Sequence, residues 1–276
     1  MTFDVYQNGK KISPAQLPPL TGTDDIGIFE SLRTYGGCVF REREHLDRLC
    51  ESARTTGVKL PATVSALSRE IRGAVQAFRK DKKLRTSEDI FLRLTVYGEK
   101  IFLLVGQRKH APDLYEKGVA LKTTVVRRSL TNAAAPQAKT SDYKNAVMAA
   151  LETGPRVYEL LFLDAEGFVS EVSIGNLFIV KRGKVLTPPA RGILNGVTRR
   201  FVIECVLPRD MDFEETPMTR HDVYNADEVF LTNTSWEILP VREVDGRRIG
   251  QVPGPITRKI HGLFKKKAGQ ECRTSK

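Results

Sequence analysis

The chain has 276 residues, 41% of them apolar, which is enough for one large or two modest domains with cores of their own and excludes a disordered polypeptide. No apolar run approaches the roughly 18 residues of a membrane span, and the start, MTFDVYQNGKK, lacks the basic head and apolar stretch of a signal peptide, so a cytoplasmic protein with no membrane partner is expected. The formal charge of +11 invites nucleic acid as a partner, yet seven Lys or Arg and a single acid, Glu271, lie from Arg258 onward, so over half the excess is terminal; without aromatic residues among the charges of KKKAGQECRTSK, residues 268–276 read as a basic disordered tail and no nucleic-acid partner is expected.

In chain order, Val5 and Tyr6 lead into the turn signal Asn8-Gly9, and the run from Ile26 to Tyr35 meets another at Gly36-Gly37, so two hairpins open the chain. Leu46, Leu49, Cys50 and Ala53 then recur at helical spacing and stop near Gly57; Leu67, Ile71, Ala74, Val75 and Phe78 mark a second amphipathic helix. Two strand-like runs between Ile90 and Gly106 flank Tyr97-Gly98, and His110-Ala111-Pro112 is the expected boundary of a small domain, 1–112. A strand from Val119 and an Ala-, Asn- and Pro-rich stretch, Ser129 to Gln137, form a crossover and interdomain loop, 113–137.

A larger domain, 138–267, follows. It opens with a helix near Ser141 to Leu151 and has strands at Glu159–Leu163, Phe168–Val172, Asn176–Val180 and Val185–Thr187. A helix at Thr198–Cys205, strands at Glu228–Thr232 and Ile238–Val244, and a last helix from Pro255 complete it. Both halves mix hairpin strands with helices and lack a regular β-α-β alternation, so the class is α+β with two domains. The four cysteines have no C-x-x-C spacing, which suggests neither a disulfide framework nor a zinc site, and no metal is expected.

The chemistry starts from Arg191-Gly192-Ile193-Leu194-Asn195-Gly196-Val197-Thr198, a tight turn directly before an amphipathic helix. Free backbone N–H groups and the helix dipole make such a place an anion cradle; a plain glycine turn with Thr198 as N-cap is the competing reading. Around it stand Glu171-Val172-Ser173-Ile174-Gly175-Asn176-Leu177-Phe178, Leu186-Thr187-Pro188-Pro189 and Leu194-Asn195-Gly196-Val197-Thr198-Arg199. Upstream are Phe29-Glu30-Ser31-Leu32-Arg33 and His45-Leu46-Asp47-Arg48-Leu49; downstream, Asp227-Glu228-Val229-Phe230-Leu231-Thr232-Asn233-Thr234.

Together these motifs, over residues 25 to 250, resemble the class IV aminotransferases. The resemblance implies fold type IV, pyridoxal 5'-phosphate as cofactor, small-molecule amino acid and 2-oxo acid substrates, and a homodimer. Position by position it makes Lys139 the lysine that holds the cofactor as a Schiff base and moves a proton as general base and acid. Glu171 becomes the carboxylate that keeps the ring nitrogen protonated. Arg48 becomes the phosphate arginine, with Leu194, Gly196, Val197, Thr198, Thr234 and Ser235 as backbone and hydroxyl donors and Ser173 and Asn176 from the first motif beside them. Tyr143 is the candidate partner of the phenolic oxygen, four residues after the lysine where branched-chain enzymes more often keep five; a core tyrosine is the other reading.

The substrate is read from the pocket. Typical D-amino-acid enzymes carry an R-x-H pair on the strand that here reads Leu92-Arg93-Leu94-Thr95, so Thr95 replaces the histidine. Arg93 and Arg33 remain as two guanidinium groups for a substrate carboxylate, although strand alternation would equally place either toward solvent. Phe29, Leu32, Tyr35 and Trp236 offer an apolar wall, and Thr234 and Ser235 adjoin it. The expectation is a ping-pong aminotransferase acting on D-amino acids. The alternatives are a branched-chain L-enzyme, then an aminodeoxychorismate lyase or an R-selective amine transaminase.

Overall fold

A computed structural model describes residues 3–17, 27–128, 137–140, 157–207 and 211–274. The helix expected from Ser141, Tyr143 with it, and the Ser129–Gln137 stretch up to residue 136 lie outside the described residues. The chain divides into two units: Met1–Lys109 with Ala138–Tyr143 and Ala268–Lys276, and His110–Gln137 with Lys144–Lys267.

In the first unit β1 (Phe3–Gln7) and β2 (Lys10–Ile12) turn at Asn8 and Gly9, both at positive φ as a two-residue hairpin demands. β3 (Ile28–Tyr35) and β4 (Cys38–Val39) follow, then α1 (Glu42–Thr56), α2 (Val64–Asp81), β5 (Phe91–Tyr97) and β6 (Lys100–Gly106). The sheet order is β2-β1-β6-β5-β3-β4. Its helix-facing side is the core: Ile28, Leu32, Leu92, Leu94, Val96, Leu103 and Val105 pack with Leu46, Leu49, Leu67, Ile71 and Phe78. Because side chains alternate along a strand, the odd-numbered residues of β3 and β5, among them Phe29, Arg33, Tyr35, Arg93 and Thr95, share the opposite face.

The second unit holds α3 (Pro112–Lys117), β7 (Val119–Arg128), β8 (Glu159–Asp164), β9 (Val169–Val172), β10 (Asn176–Lys181) and β11 (Lys184–Thr187). α4 (Val197–Phe201) runs on into a π-helical turn, Val202–Val206, followed by β12 (Phe213–Glu215), α5 (Arg220–Tyr224), β13 (Glu228–Asn233), β14 (Glu237–Val244), β15 (Arg247–Arg248) and α6 (Pro255–Thr274). Among the described residues the strands order as β12-β11-β10-β13-β14-β7-β8-β9, with β15 on β14. Val119, Leu121, Leu161, Leu177, Ile179, Val229, Leu231, Leu239 and Val241 form one core face. On other strand positions Phe178 stacks on Phe230 at 5.0 Å, and between the helices Phe201 of α4 meets Phe264 of α6 edge-on at 5.3 Å.

Three domain expectations change. β7 pairs in parallel with both β14 and β8, so this part of the expected crossover is a strand inside the second unit's sheet. Residues 138–140 belong with the first unit because Phe29 N–H donates to Lys139 O at 3.0 Å and Thr140 bridges Ile28. Through Thr274 the basic tail is helix: Ile260, Phe264, Ala268 and Cys272, four apart, are all buried beneath the basic residues. Charge composition hid that four-residue stripe, which one helical face presents.

Candidate active site

In the first unit the predicted residues gather around β3 and α1. Glu30, fully buried, takes two hydrogen bonds of 2.7 Å from Arg48, one from Nε and one from Nη2. His45 Nδ1 lies 2.7 Å from the same carboxylate. Burial alone would raise the Glu30 pKa, but the Arg48 charge and the bonds from Arg48 and His45 hold it down at about 2. Burial pushes the His45 imidazole below its ordinary value in spite of Glu30, so at neutral pH the ring is a neutral donor through Nδ1.

Lys139 is fixed on both sides of its backbone. Its N–H donates to Ser52 Oγ at 3.0 Å and its carbonyl accepts from Phe29 N–H at 3.0 Å. The ammonium lies 4.6 Å from the centroid of the Phe29 ring, and the Arg93 guanidinium lies 3.8 Å from that centroid. Lys139, Phe29 and Arg93 are therefore together. Arg33 is not with them: it stands four residues along β3 from Phe29, about 13 Å at strand rise, and pairs with Asp89 at 3.1 Å while covering Tyr35. Tyr35, buried, packs edge-on against Phe40 at 5.2 Å.

In the second unit, Glu171 is buried and its Oε2 accepts from Leu194 N–H at 3.3 Å. Asn176 Nδ2 donates to Leu194 O at 2.9 Å, so both ends of the E-x-S-x-x-N motif grip the loop before α4. Gly196, and not Thr198, is the N-cap of α4, in extended conformation and with no capping side chain. The amides of Val197 and Thr198 precede the first intrahelical bond of that end, Arg200 N–H to Gly196 O, so they are the donors a helix start leaves for an anion. Arg199, buried, holds the loop from behind through Pro188 O at 2.8 Å and Glu215 at 2.7 Å.

Thr234 and Ser235 lie in the turn between β13 and β14, which Asn233 organises: its Oδ1 accepts from Ser235 and Trp236 N–H at 2.8 and 2.9 Å. Ser235 Oγ is 2.9 Å from His110 Nε2. Ser173 turns to β8, its Oγ accepting from Leu160 N–H at 3.3 Å. The Trp236 ring belongs to the core cluster of the second unit, 2% exposed and 5.8 Å from the Tyr158 ring, so it packs the scaffold instead of standing free as a wall. Glu30, His45, Ser52, Asn233 and His110 had no role assigned from sequence; Glu30, His45 and Asn233 carried a signal, as members of quoted motifs.

The amino-transferase class IV family model matches residues 27–244. The chain belongs to that family. As a class IV aminotransferase it is a pyridoxal-phosphate-dependent transaminase of fold type IV, moving an amino group between an amino acid and a 2-oxo acid. A Methanocaldococcus jannaschii protein provisionally named a branched-chain-amino-acid aminotransferase is 35% identical, covering 95% of each chain. The crystal structure of the branched-chain aminotransferase of Thermoproteus uzoniensis with norvaline superposes with a TM-score of 0.81 at 30% identity, over 97% of this chain and 95% of that one. The D-alanine aminotransferase of Bacillus licheniformis is 26% identical over 85% of this class IV chain and 84% of its own length.

The residues of this class IV aminotransferase fit the cofactor. A primary amine on a doubly anchored backbone, a buried carboxylate and an uncapped helix start are the donor set that an aldehyde, a ring nitrogen and a phosphate require. Among the described residues, no helix is long and apolar enough to cross a membrane.

Proposed function

We propose that this enzyme is a branched-chain L-amino-acid aminotransferase, with Lys139 as its catalytic amine. The observation that carries the substrate is the near-full-length similarity to a solved branched-chain enzyme holding norvaline, an amino acid with an unbranched apolar side chain. The D-alanine relative is more distant, and Thr95 stands where a D-specific R-x-H pair would put histidine. Phe29 supplies an apolar surface beside Lys139, and Arg93 stacked on that ring is the guanidinium placed to take a carboxylate. Arg33, committed to Asp89, is a weaker candidate, which removes the second half of the arginine pair that favoured D-amino acids.

The cofactor, when bound, supplies an aldehyde that condenses with amines and a ring that accepts the electron pair left on the substrate α-carbon. Lys139 Nζ would move a proton off the substrate α-carbon and on to the cofactor in one half-reaction and in the opposite direction in the other, with the apolar Phe29 ring beside the amine. Glu171 would keep a proton on the ring nitrogen. Arg48, oriented by Glu30, is the phosphate candidate of the first unit, and the amides of Val197 and Thr198, with Thr234 and Ser235, would serve as phosphate donors in the second. One site serves both half-reactions, and a homodimer is the assembly the family resemblance implies.

The test is amine transfer to 2-oxoglutarate from L-leucine, L-isoleucine, L-valine and D-alanine, following the keto acid formed. Turnover of the L-forms with D-alanine inert is expected. Turnover of D-alanine alone would reverse the assignment. In Lys139→Ala the visible cofactor band and the borohydride-trapped adduct are expected to disappear, and a trapped adduct at wild-type yield would remove the lysine from its role.

A further inference from the structure

We infer that Ser52 is a positioning residue for the reaction, tying the backbone of Lys139 to the helix that carries Arg48. The inference rests on the reading of Lys139 as the cofactor-linked lysine and Arg48 as the phosphate arginine.

A closed circuit of contacts supports it. Lys139 N–H donates to Ser52 Oγ on α1. Arg48 precedes Ser52 by four residues, about 6 Å along the helix axis and on the same face. From Arg48 two bonds of 2.7 Å reach Glu30 on β3. Phe29, next to Glu30, closes the circuit with its N–H on Lys139 O. One strand pair, 29 and 30, and one helical turn, 48 to 52, thus hold the lysine and the phosphate arginine in a single frame within one unit.

The frame matters because the lysine amine swings on a flexible four-carbon stem, so its reach is set by where its backbone is pinned; displacements near 1 Å are enough to change rates by about a hundredfold. Ser52 is 2% exposed, between the buried apolar Leu49 and Ala53 and one turn after the buried Arg48. A serine inside a helix ordinarily bonds back to its own helix or faces water. Here its oxygen instead receives the amide of a residue 87 positions away, and it is the side-chain acceptor for that amide. Replacement by alanine keeps the β-carbon and favours the helix, and removes only the acceptor.

The experiment uses the holoenzyme and the apoenzyme of wild type, Ser52→Ala, Ser52→Cys and Ser52→Thr. Borohydride reduction with peptide mass spectrometry first locates the adduct in wild type: a site other than Lys139 overturns the underlying reading and the inference with it. With the adduct on Lys139, Ser52→Ala is expected to lower kcat about tenfold with KM within about threefold, and to shift the pH midpoint of the visible band by about half a unit or more. In the apoenzyme, the amide of Lys139 is expected to exchange with deuterium about tenfold faster. Ser52→Cys, which keeps the volume but offers a poor acceptor, is expected to move both readouts in the same direction, and covers the case in which the alanine variant does not fold. Ser52→Thr is expected to restore them. A wild-type midpoint and wild-type exchange in Ser52→Ala or Ser52→Cys, whether or not the melting temperature falls, would reduce Ser52 to a packing residue and overturn the proposal.

Discussion

The side-chain oxygen of Asn176 occupies the space that a β-carbon on residue 196 would need, while its amide nitrogen holds Leu194 O at 2.9 Å. The glycine is therefore required by close approach, since its φ of −62° would suit any residue. Gly196→Ala is expected to push Asn176 off Leu194 and to tilt the first-turn amides of α4. Cofactor affinity should fall about 10- to 100-fold, or about 1.4 to 2.8 kcal/mol, in a titration of apoenzyme followed by absorbance. An unchanged dissociation constant would show that the loop end of α4 does not contact the phosphate.

Glu30 is the fully buried carboxylate through which the first unit gains stability against acid. Its folded pKa of about 2 lies below the ordinary 4.5, so its contribution is fully present above pH 4.5 and is lost as pH falls toward 2. The size over that window is about 3 kcal/mol. Glu30→Gln leaves the Arg48 charge buried without its counter-charge and is expected to destabilise by about 3 to 5 kcal/mol, with much of the acid slope removed. Urea unfolding at pH 7 and pH 3 checks both. A Gln variant that keeps the wild-type slope would place the titrating group elsewhere.

How much of this was legible from sequence follows from what each pattern encodes. Period and turn chemistry gave α1, α2 and both early hairpins, because Leu46/Leu49/Ala53, Leu67/Ile71/Phe78 and Asn8-Gly9 each specify local geometry. The motifs pointed to the α4 loop and named Lys139 as the candidate lysine. Spacing said nothing of what crosses between distant segments, so the bond from Lys139 to Ser52 and the Arg33 pairing with Asp89 were out of reach. Trp236 looked like a pocket wall because aromatic type does not reveal which face of a turn it takes, and here Asn233 folds it into the core.

Glu159 is expected to act on stability in the opposite sense to Glu30. It starts β8 with its side chain buried and Oε2 without a hydrogen-bond partner among the described residues. Burial raises its pKa to about 7, against partial relief from the Ser173 side chain and the Ser173 and Ile174 backbone. A raised folded pKa gives stability that is present below about pH 4.5 and lost as pH rises through 7, about 3 kcal/mol in all. Glu159→Gln should abolish that loss, so wild type and variant should draw apart between pH 5 and pH 9, with the variant the more stable at the alkaline end. Equal urea midpoints for the two proteins at pH 9 would mean that the carboxylate is solvated.

The two arginines of the β3–β5 face make the substrate reading testable at single positions. Arg93 lies against Phe29 beside Lys139, whereas Arg33 is neutralised by Asp89 and lies along the strand from that group. Loss of a charge-assisted contact to a carboxylate corresponds to about 1.5 to 3 kcal/mol, so Arg93→Leu should raise KM for 2-oxoglutarate about 10- to 100-fold. The variant should bind cofactor like wild type, since none of the proposed cofactor contacts is assigned to Arg93. Arg33→Leu should change the same KM less than about threefold, because the guanidinium it removes already has a carboxylate partner. The reverse pattern, a large KM effect from Arg33 and none from Arg93, would move the carboxylate site along β3 toward Tyr35.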